Sequence, residues 1–206
     1  VVTQNPANGT AVANADGTNP KLLTPAAPSY FHGWSPDGKW LAAGAKDAVQ
    51  LIDVETKSIA REVATKSGQV RAVAFSPDGK LLVTGSYQNV SLWNVATGDL
   101  VKAIKGHRAY VTSLAFSPDG KRLATACEDE IARVWRLDGD EAPLLFKDHK
   151  LPVTGIAWSP DGKLFAGDGG GPNSVAAPGN GQWIYLFTPG GDGKLAATRL
   201  VDLSKH

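Results

Sequence analysis

The pentapeptide Ser-Pro-Asp-Gly-Lys occurs four times in this chain, beginning at Ser35, Ser76, Ser117 and Ser159, at spacings of 41, 41 and 42 residues. Recurrence at so even an interval restricts the chain to a repeat architecture with one supersecondary unit per period. Each copy follows an apolar stretch ending in an aromatic residue (Trp34, Phe75, Phe116, Trp158), and a second apolar stretch comes after it. Proline fixes φ at its position and the Asp-Gly glycine accepts positive φ, so each copy predicts the turn of a β-hairpin.

About twelve residues beyond each turn the sequence alternates with period two, at residues 49–53, 90–94, 132–136 and 184–188, as a half-buried strand does. A further turn such as Ala96-Thr97-Gly98-Asp99 leads to a fourth short strand at 100–104. Four strands in about 41 residues, without a helical segment, is the arithmetic of a β-propeller blade. Glycine (23) and proline (13) supply the punctuation that many short strands need.

Bulk properties exclude several classes. With 20% charged residues, 42% hydrophobic residues and a net charge of +1, the chain is no disordered tail and has no electrostatic case for binding nucleic acid. A lone cysteine, Cys127, excludes an internal disulfide and a cysteine-based zinc site. No apolar run approaches the length of a membrane span, and the first residues lack a signal-peptide pattern. The chain has no methionine, which predicts processing or a start inside a longer protein; cytoplasmic and bacterial periplasmic or secreted locations both stay open.

The most complete copy runs from Gly106-His107 through Leu114-Ala115-Phe116-Ser117-Pro118-Asp119-Gly120-Lys121, Leu123-Ala124-Thr125 and Asp129 to Val134-Trp135. This resembles the WD40-repeat β-propellers across residues 29–202. The resemblance implies that His107, Thr125, Asp129 and Trp135 form a structural hydrogen-bonded network. Other copies depart from it: His149 keeps the histidine, Lys66 and Pro25 take its place elsewhere, and Ile52 and Phe187 replace the tryptophan. Residues 14–24, with the Trp34-Ser-Pro-Asp-Gly-Lys signature, resemble a TolB-like repeat, which implies three strands at 1–4, 10–13 and 21–24.

The expected organisation is a single all-β propeller domain, or part of one: a partial blade (1–28) and blades at 29–66, 67–106, 107–150 and 151–206, the last with an insertion at 168–181. Counting strands leaves an open arc of a larger ring, completed by sequence outside the chain or by another chain.

No catalytic set assembles in the sequence. His32 lies on a first strand where other copies carry Val73, Leu114 and Ile156, a core position rather than a ligand set. Asp37, Asp78, Asp119 and Asp161 occupy equivalent turns and so lie a blade apart, too far to share a proton. Gly167-Asp168-Gly169-Gly170-Gly171-Pro172 lacks the helix of a phosphate loop, and Asp138-Gly139-Asp140-Glu141 lacks the rest of a calcium loop. Asn8-Gly9-Thr10 and Asn89-Val90-Ser91 match the glycosylation sequon.

The 168–181 connection exceeds structural need, as functional loops do. In WD40 proteins it shares a face with the loops entering each blade. That resemblance implies a partner-binding face carrying Lys66, Tyr87, Arg108, Tyr110, Lys147, Lys150, Asp168 and Asn173, a mixed aromatic and basic set. The expected function is a noncatalytic scaffold that binds other proteins, within a larger complex, without cofactor, metal, nucleic acid or membrane insertion. The alternatives are an accessory part of a secreted or periplasmic TolB-like assembly and, less favoured, an enzyme with its site at the propeller axis.

Overall fold

The computed structural model describes residues 31–168 and Thr18 in full, together with the strands at 2–5, 9–12, 21–22, 183–189 and 195–202. The chain divides into two compact units, Val1–Lys105 and Gly106–His206. In the first, β1 (Val2–Asn5), β2 (Gly9–Val12) and β3 (Lys21–Leu22) form a three-stranded sheet. Two four-stranded sheets follow: β4 (His32–Trp34), β5 (Trp40–Gly44), β6 (Lys46–Asp53) and β7 (Ser58–Gln69), then β8 (Ala72–Phe75), β9 (Leu81–Gly85), β10 (Val90–Asn94) and β11 (Leu100–Ile104).

The second unit has two more four-stranded sheets. They are β12 (Val111–Phe116), β13 (Arg122–Cys127), β14 (Ala132–Arg136) and β15 (Leu144–Phe146), and β16 (Val153–Trp158), β17 (Leu164–Asp168), β18 (Trp183–Pro189) and β19 (Leu195–Asp202). Every sheet is an antiparallel meander in chain order, and the described residues contain no helix. These are propeller blades, four complete and one of three strands, as the 41-residue arithmetic predicts. The alternating segments at 90–94 and 132–136 are β10 and β14 to the residue.

Each Ser-Pro-Asp-Gly-Lys copy is clipped by its own side chains. The serine hydroxyl donates to the aspartate Oδ1, over 2.6 Å from Ser35 to Asp37, 2.6 Å from Ser76 to Asp78 and 2.5 Å from Ser117 to Asp119; Ser159 does the same to Asp161. The same serine oxygen accepts the amide N–H that opens the next strand or precedes it, at 2.9 Å from Trp40, Leu81 and Arg122 and 3.0 Å from Lys163. Gly38, Gly79, Gly120 and Gly162 all have φ of 70–81°, the left-handed region that glycine enters without a Cβ penalty. The serine hydroxyls hold Asp37, Asp78 and Asp119 below the usual carboxylate range, and the Lys163 ammonium followed by Ser159 does so for Asp161.

The opposite ends of three hairpins carry a second recurrent device. Where the second strand gives way to the third, Asp47 at the start of β6, and Gln88 and Glu130 in the connecting turns, have φ of 57, 57 and 65°, left-handed geometry on residues with a side chain.

Both faces of the inner strands are buried. On β5, Leu41 and Ala43 pack with Ile52, while Ala42 packs with Val49, Leu51 and Val63 and reaches Phe75, Leu82 and Trp93 of the next sheet. In the second unit, Ala124, Ala126, Ala132 and Val134 pack with Phe146 and with Val153, Ile156, Leu164 and Ala166 of the following sheet. Small residues at these positions let neighbouring sheets approach. A Cβ on Gly44 would lie 3.0 Å from the Val70 carbonyl oxygen and 3.1 Å from its Cγ1. Two hydrogen bonds also join the second unit's sheets: Thr112 Oγ1 donates to the Val153 carbonyl (2.6 Å) and Trp158 Nε1 to that of Ala115 (3.1 Å). Gly44→Val is expected to lower stability by about 1–3 kcal/mol through overpacking. Gly155→Ala, whose Cβ would meet nothing within 4 Å, should shift the denaturation midpoint by no more than an ordinary surface change.

Candidate functional site

The loop entering β12 is pinned from inside the second unit. Gly106 takes φ +117°, a conformation L residues rarely adopt, and turns His107 inward to 5% exposure. His107 Nε2 shares a 2.9 Å hydrogen bond with Thr125 Oγ1, which also accepts the Trp135 indole N–H at 3.1 Å. The imidazole and indole centroids lie 5.5 Å apart at 40°. Register explains the meeting, because Thr125 pairs with Arg133 and Leu123 with Trp135, which puts Thr125, Arg133 and Trp135 on one face.

Asp129 does not join this network. Its carboxylate accepts two bonds from the Arg133 guanidinium, at 2.7 and 2.9 Å, and the Arg108 amide N–H at 2.9 Å. The expected four-residue network is therefore two adjacent pieces, a His–Thr–Trp relay and an Asp–Arg pair that anchors the entry loop through Arg108. Arg133 is 3% exposed and escapes a sequence reading because it occupies an unremarkable position in an alternating strand. Burial pushes the Asp129 carboxyl up, yet Arg133 and the Arg108 amide outweigh it and keep it below its ordinary value. Burial, assisted by the Arg133 charge, pushes His107 down to about 4 and holds it neutral at physiological pH. Burial likewise pushes the Cys127 thiol up, away from thiolate reactivity.

The loop entering β16 uses different chemistry for the same purpose. His149 Nδ1 donates to Asp168 Oδ2 at 3.0 Å, and the side chains are 1% and 0% exposed. Asp168 stands opposite Val153 as Cys127 stands opposite Val111, so a carboxylate at the end of the second strand replaces the hydroxyl in its middle. Asp168 was expected on the partner-binding face; its burial against His149 corrects that assignment to a structural one. Burial lowers the His149 pKa, outweighing the hydrogen bond and charge of Asp168, which raise it. Asn173 and the rest of the long connection lie outside the described residues, as does Asn8 of the Asn8-Gly9-Thr10 sequon.

The remaining candidate binding residues fall into one set per unit. In the second, Arg108, Lys147 and Lys150 are exposed and Tyr110 is half-buried, its carbonyl accepting the Glu128 amide. In the first, Tyr87 is 51% exposed in the β9–β10 turn and Lys66 is exposed on β7. Counted back from the buried valines Val70, Val111 and Val153, Lys66 stands where His107 and His149 stand. Its backbone adopts φ +50°, however, and Thr65 is the residue turned inward, at 9% exposure. One pattern thus recurs ahead of β8, β12 and β16, a buried polar residue followed by an exposed cation: Thr65-Lys66 on β7, and His107-Arg108 and His149-Lys150 in the entry loops.

Other sequence candidates resolve into structure. His32 is half-buried on β4, and burial lowers its pKa. The Asn89 amide donates to Ser91 Oγ (3.1 Å) and accepts from Lys105 Nζ (2.8 Å), with Ser91 buried. Asp138 and Glu141 both turn to Arg136, at 3.2 and 3.4 Å. Among the described residues no group of three His, Cys, Asp or Glu side chains is placed to hold a metal ion.

The chain matches the WD40 family, described as WD domain, G-beta repeat, over residues 60–94, 98–136 and 143–171, together half of its length, and it belongs to that family. The matched segments begin at Ala60, so residues 1–28 share no part of the match. An uncharacterized protein of Agrobacterium fabrum is 43% identical over 51 residues, 24% of this chain and 17% of that protein. The fold is similar to that of Kuenenia stuttgartiensis hydrazine synthase, with a TM-score of 0.68 and 22% identity over 84% of this chain. The chain spans about half (49%) of that solved chain. WD40 domains typically bind other proteins, and the fold is of the kind that serves as an interaction scaffold.

The histidine pKa values set an expected acid sensitivity. His107 titrates near 6.5 when unfolded and about 4 when folded. Stability is therefore full above pH 6.5 and declines as pH falls toward 4, by about 3 kcal/mol for this one proton. Denaturation midpoints of His107→Gln should show a shallower slope across that window. Thr125→Val should cost about 1–3 kcal/mol at neutral pH, because two buried N–H or N groups lose their oxygen.

Proposed function

We propose that this chain docks other proteins through the surface around the entries to its blades, the second unit presenting Arg108, Tyr110, Lys147 and Lys150 from its entry loops and the first Lys66 from β7 and Tyr87 from the β9–β10 turn. The observation that carries this reading is the buried–exposed doublet repeated at Thr65-Lys66, His107-Arg108 and His149-Lys150. A buried residue immediately before an exposed cation, hydrogen-bonded to Thr125 at His107 and to Asp168 at His149, removes backbone freedom from the cation before any partner arrives, so less ordering entropy opposes binding. Arg108 is the most constrained of the three, since its own N–H is held by Asp129. Arginine and tyrosine side by side are the residue types that most often dominate interface energetics. The exposed set also contains carboxylates, with Glu130 and Asp148 beside the cations, which suits a partner of mixed charge.

The reading is noncatalytic. His107 and His149 are engaged by Thr125 and Asp168, and burial lowers the pKa of both rather than poising them near pH 7. Affinity purification with quantitative mass spectrometry tests the surface. The double variant Arg108→Ala/Tyr110→Ala should reduce recovery of specific partners at least tenfold while its melting temperature stays within a few degrees of the parent. Unchanged recovery from that variant and from Lys66→Ala/Tyr87→Ala would show the docking surface to lie elsewhere.

A further inference from the structure

At the other end of β9 from Tyr87, within the first unit, the sheets β4–β7 and β8–β11 enclose a cavity of about 430 Å³, a volume typical of ligand sites. Its floor is apolar: Leu51, 2% exposed, belongs to the core cluster of this unit, and Trp40 and Val95 pack against that cluster while still facing the groove. Ala60 contributes from β7. The charged residues that line it are Arg61 and Lys80, and no carboxylate does.

These two cations are available. Arg61 has no carboxylate partner among the described residues; its neighbour Glu62, one position along β7, accepts a hydrogen bond from Gln50 Nε2 at 2.8 Å on the opposite side of the strand. Lys80 reaches Asp78 at 3.9 Å, with side chains 80% and 58% exposed, a separation worth little in water. Asp78 is already engaged by the Ser76 hydroxyl at 2.6 Å and the Lys80 amide at 3.1 Å. Asp53, paired across from Trp40, accepts the Thr56 amide at 2.8 Å. Arg61 is also held in place: a Cβ on Gly98 would come within 3.1 Å of both its Cδ and its Nη1, so the β10–β11 turn lies directly against the side chain.

We infer that this groove binds a short acidic segment of a partner protein, seating one apolar side chain on Trp40, Leu51 and Val95 between carboxylates that meet Arg61 and Lys80. An uncovered apolar floor rewards burial of an aliphatic or aromatic side chain. An arginine without a counterion supplies a fork suited to a carboxylate. Nucleic acid fits less well, because two cations around an apolar floor do not make the extended positive field that phosphate backbones require, and the chain as a whole carries only +1. The site goes beyond the loop surface proposed above, and mutation separates the two.

Fluorescence polarisation on the full chain tests it with labelled ten-residue peptides bearing a central Leu, Phe or Trp flanked by Asp and Glu, against matched peptides with Lys flanks or a central Ala. Saturable binding is expected for the acidic, apolar-centred set, weakened at least tenfold by the Lys flanks, the central Ala or Arg61→Glu, and unchanged in Arg108→Ala/Tyr110→Ala. Lys80→Glu, at an exposed position, reads the same contact should Arg61→Glu fold poorly. Equal binding of acidic and basic peptides, or indifference to both charge reversals, overturns the inference. So does self-association of the chain, or binding of an oligonucleotide, that Arg61→Glu abolishes. If peptide binding fails while Arg108→Ala/Tyr110→Ala still loses partners, the groove is refuted and the loop surface stands.

Discussion

One serine hydroxyl per repeat sets the geometry on which everything else is built. In Ser35, Ser76, Ser117 and Ser159 it donates to an aspartate two residues on and accepts an amide four or five residues on, closing each hairpin at a single register. Register matters more here than in a sheet with one wet face. A slip of one residue exchanges the two faces of a strand, and in β5, β9 and β13 both faces are packed against neighbours of specific size. The clip is local, so each repeat carries its own alignment instruction and needs no distant residue to receive it.

That locality explains which parts of the fold were legible in the sequence. The hairpins, the third strands and the His107–Thr125–Trp135 relay could all be read because each depends on spacing within one period. The Asp129–Arg133 pair could not, since nothing in an alternating strand marks one arginine as buried. Asp168 was misread for a related reason: among glycines it looks like the start of a loop, whereas pairing with Val153 makes it the last inward residue of β17. Nor did the sequence show that Lys66, at the histidine's place, has a left-handed backbone while Thr65 takes the inward position.

The two ends of each hairpin divide the labour. At the clipped end the carboxylates are occupied by serine hydroxyls and backbone amides, and the surface that remains between sheets is apolar with two cations. At the loop end, buried His107 and His149 anchor the chain while the following residue projects outward. Both arrangements rest on hydrogen bonds, ion pairs and packing, and WD40 domains typically bind other proteins.

The left-handed residues at Asp47, Gln88 and Glu130 have a wider consequence. Each stands at or beside the tightest connection in its repeat with a side chain where glycine would sit more easily, so the joint is a strained point of the hairpin. In the fourth repeat the same joint, between β17 and β18, is spanned by residues 169–182 instead of the four residues that separate β9 from β10. Strain confined to a joint whose flanking strands are already aligned elsewhere makes that joint a port at which evolution can lengthen the chain without renegotiating the core. New recognition segments can therefore be acquired one repeat at a time.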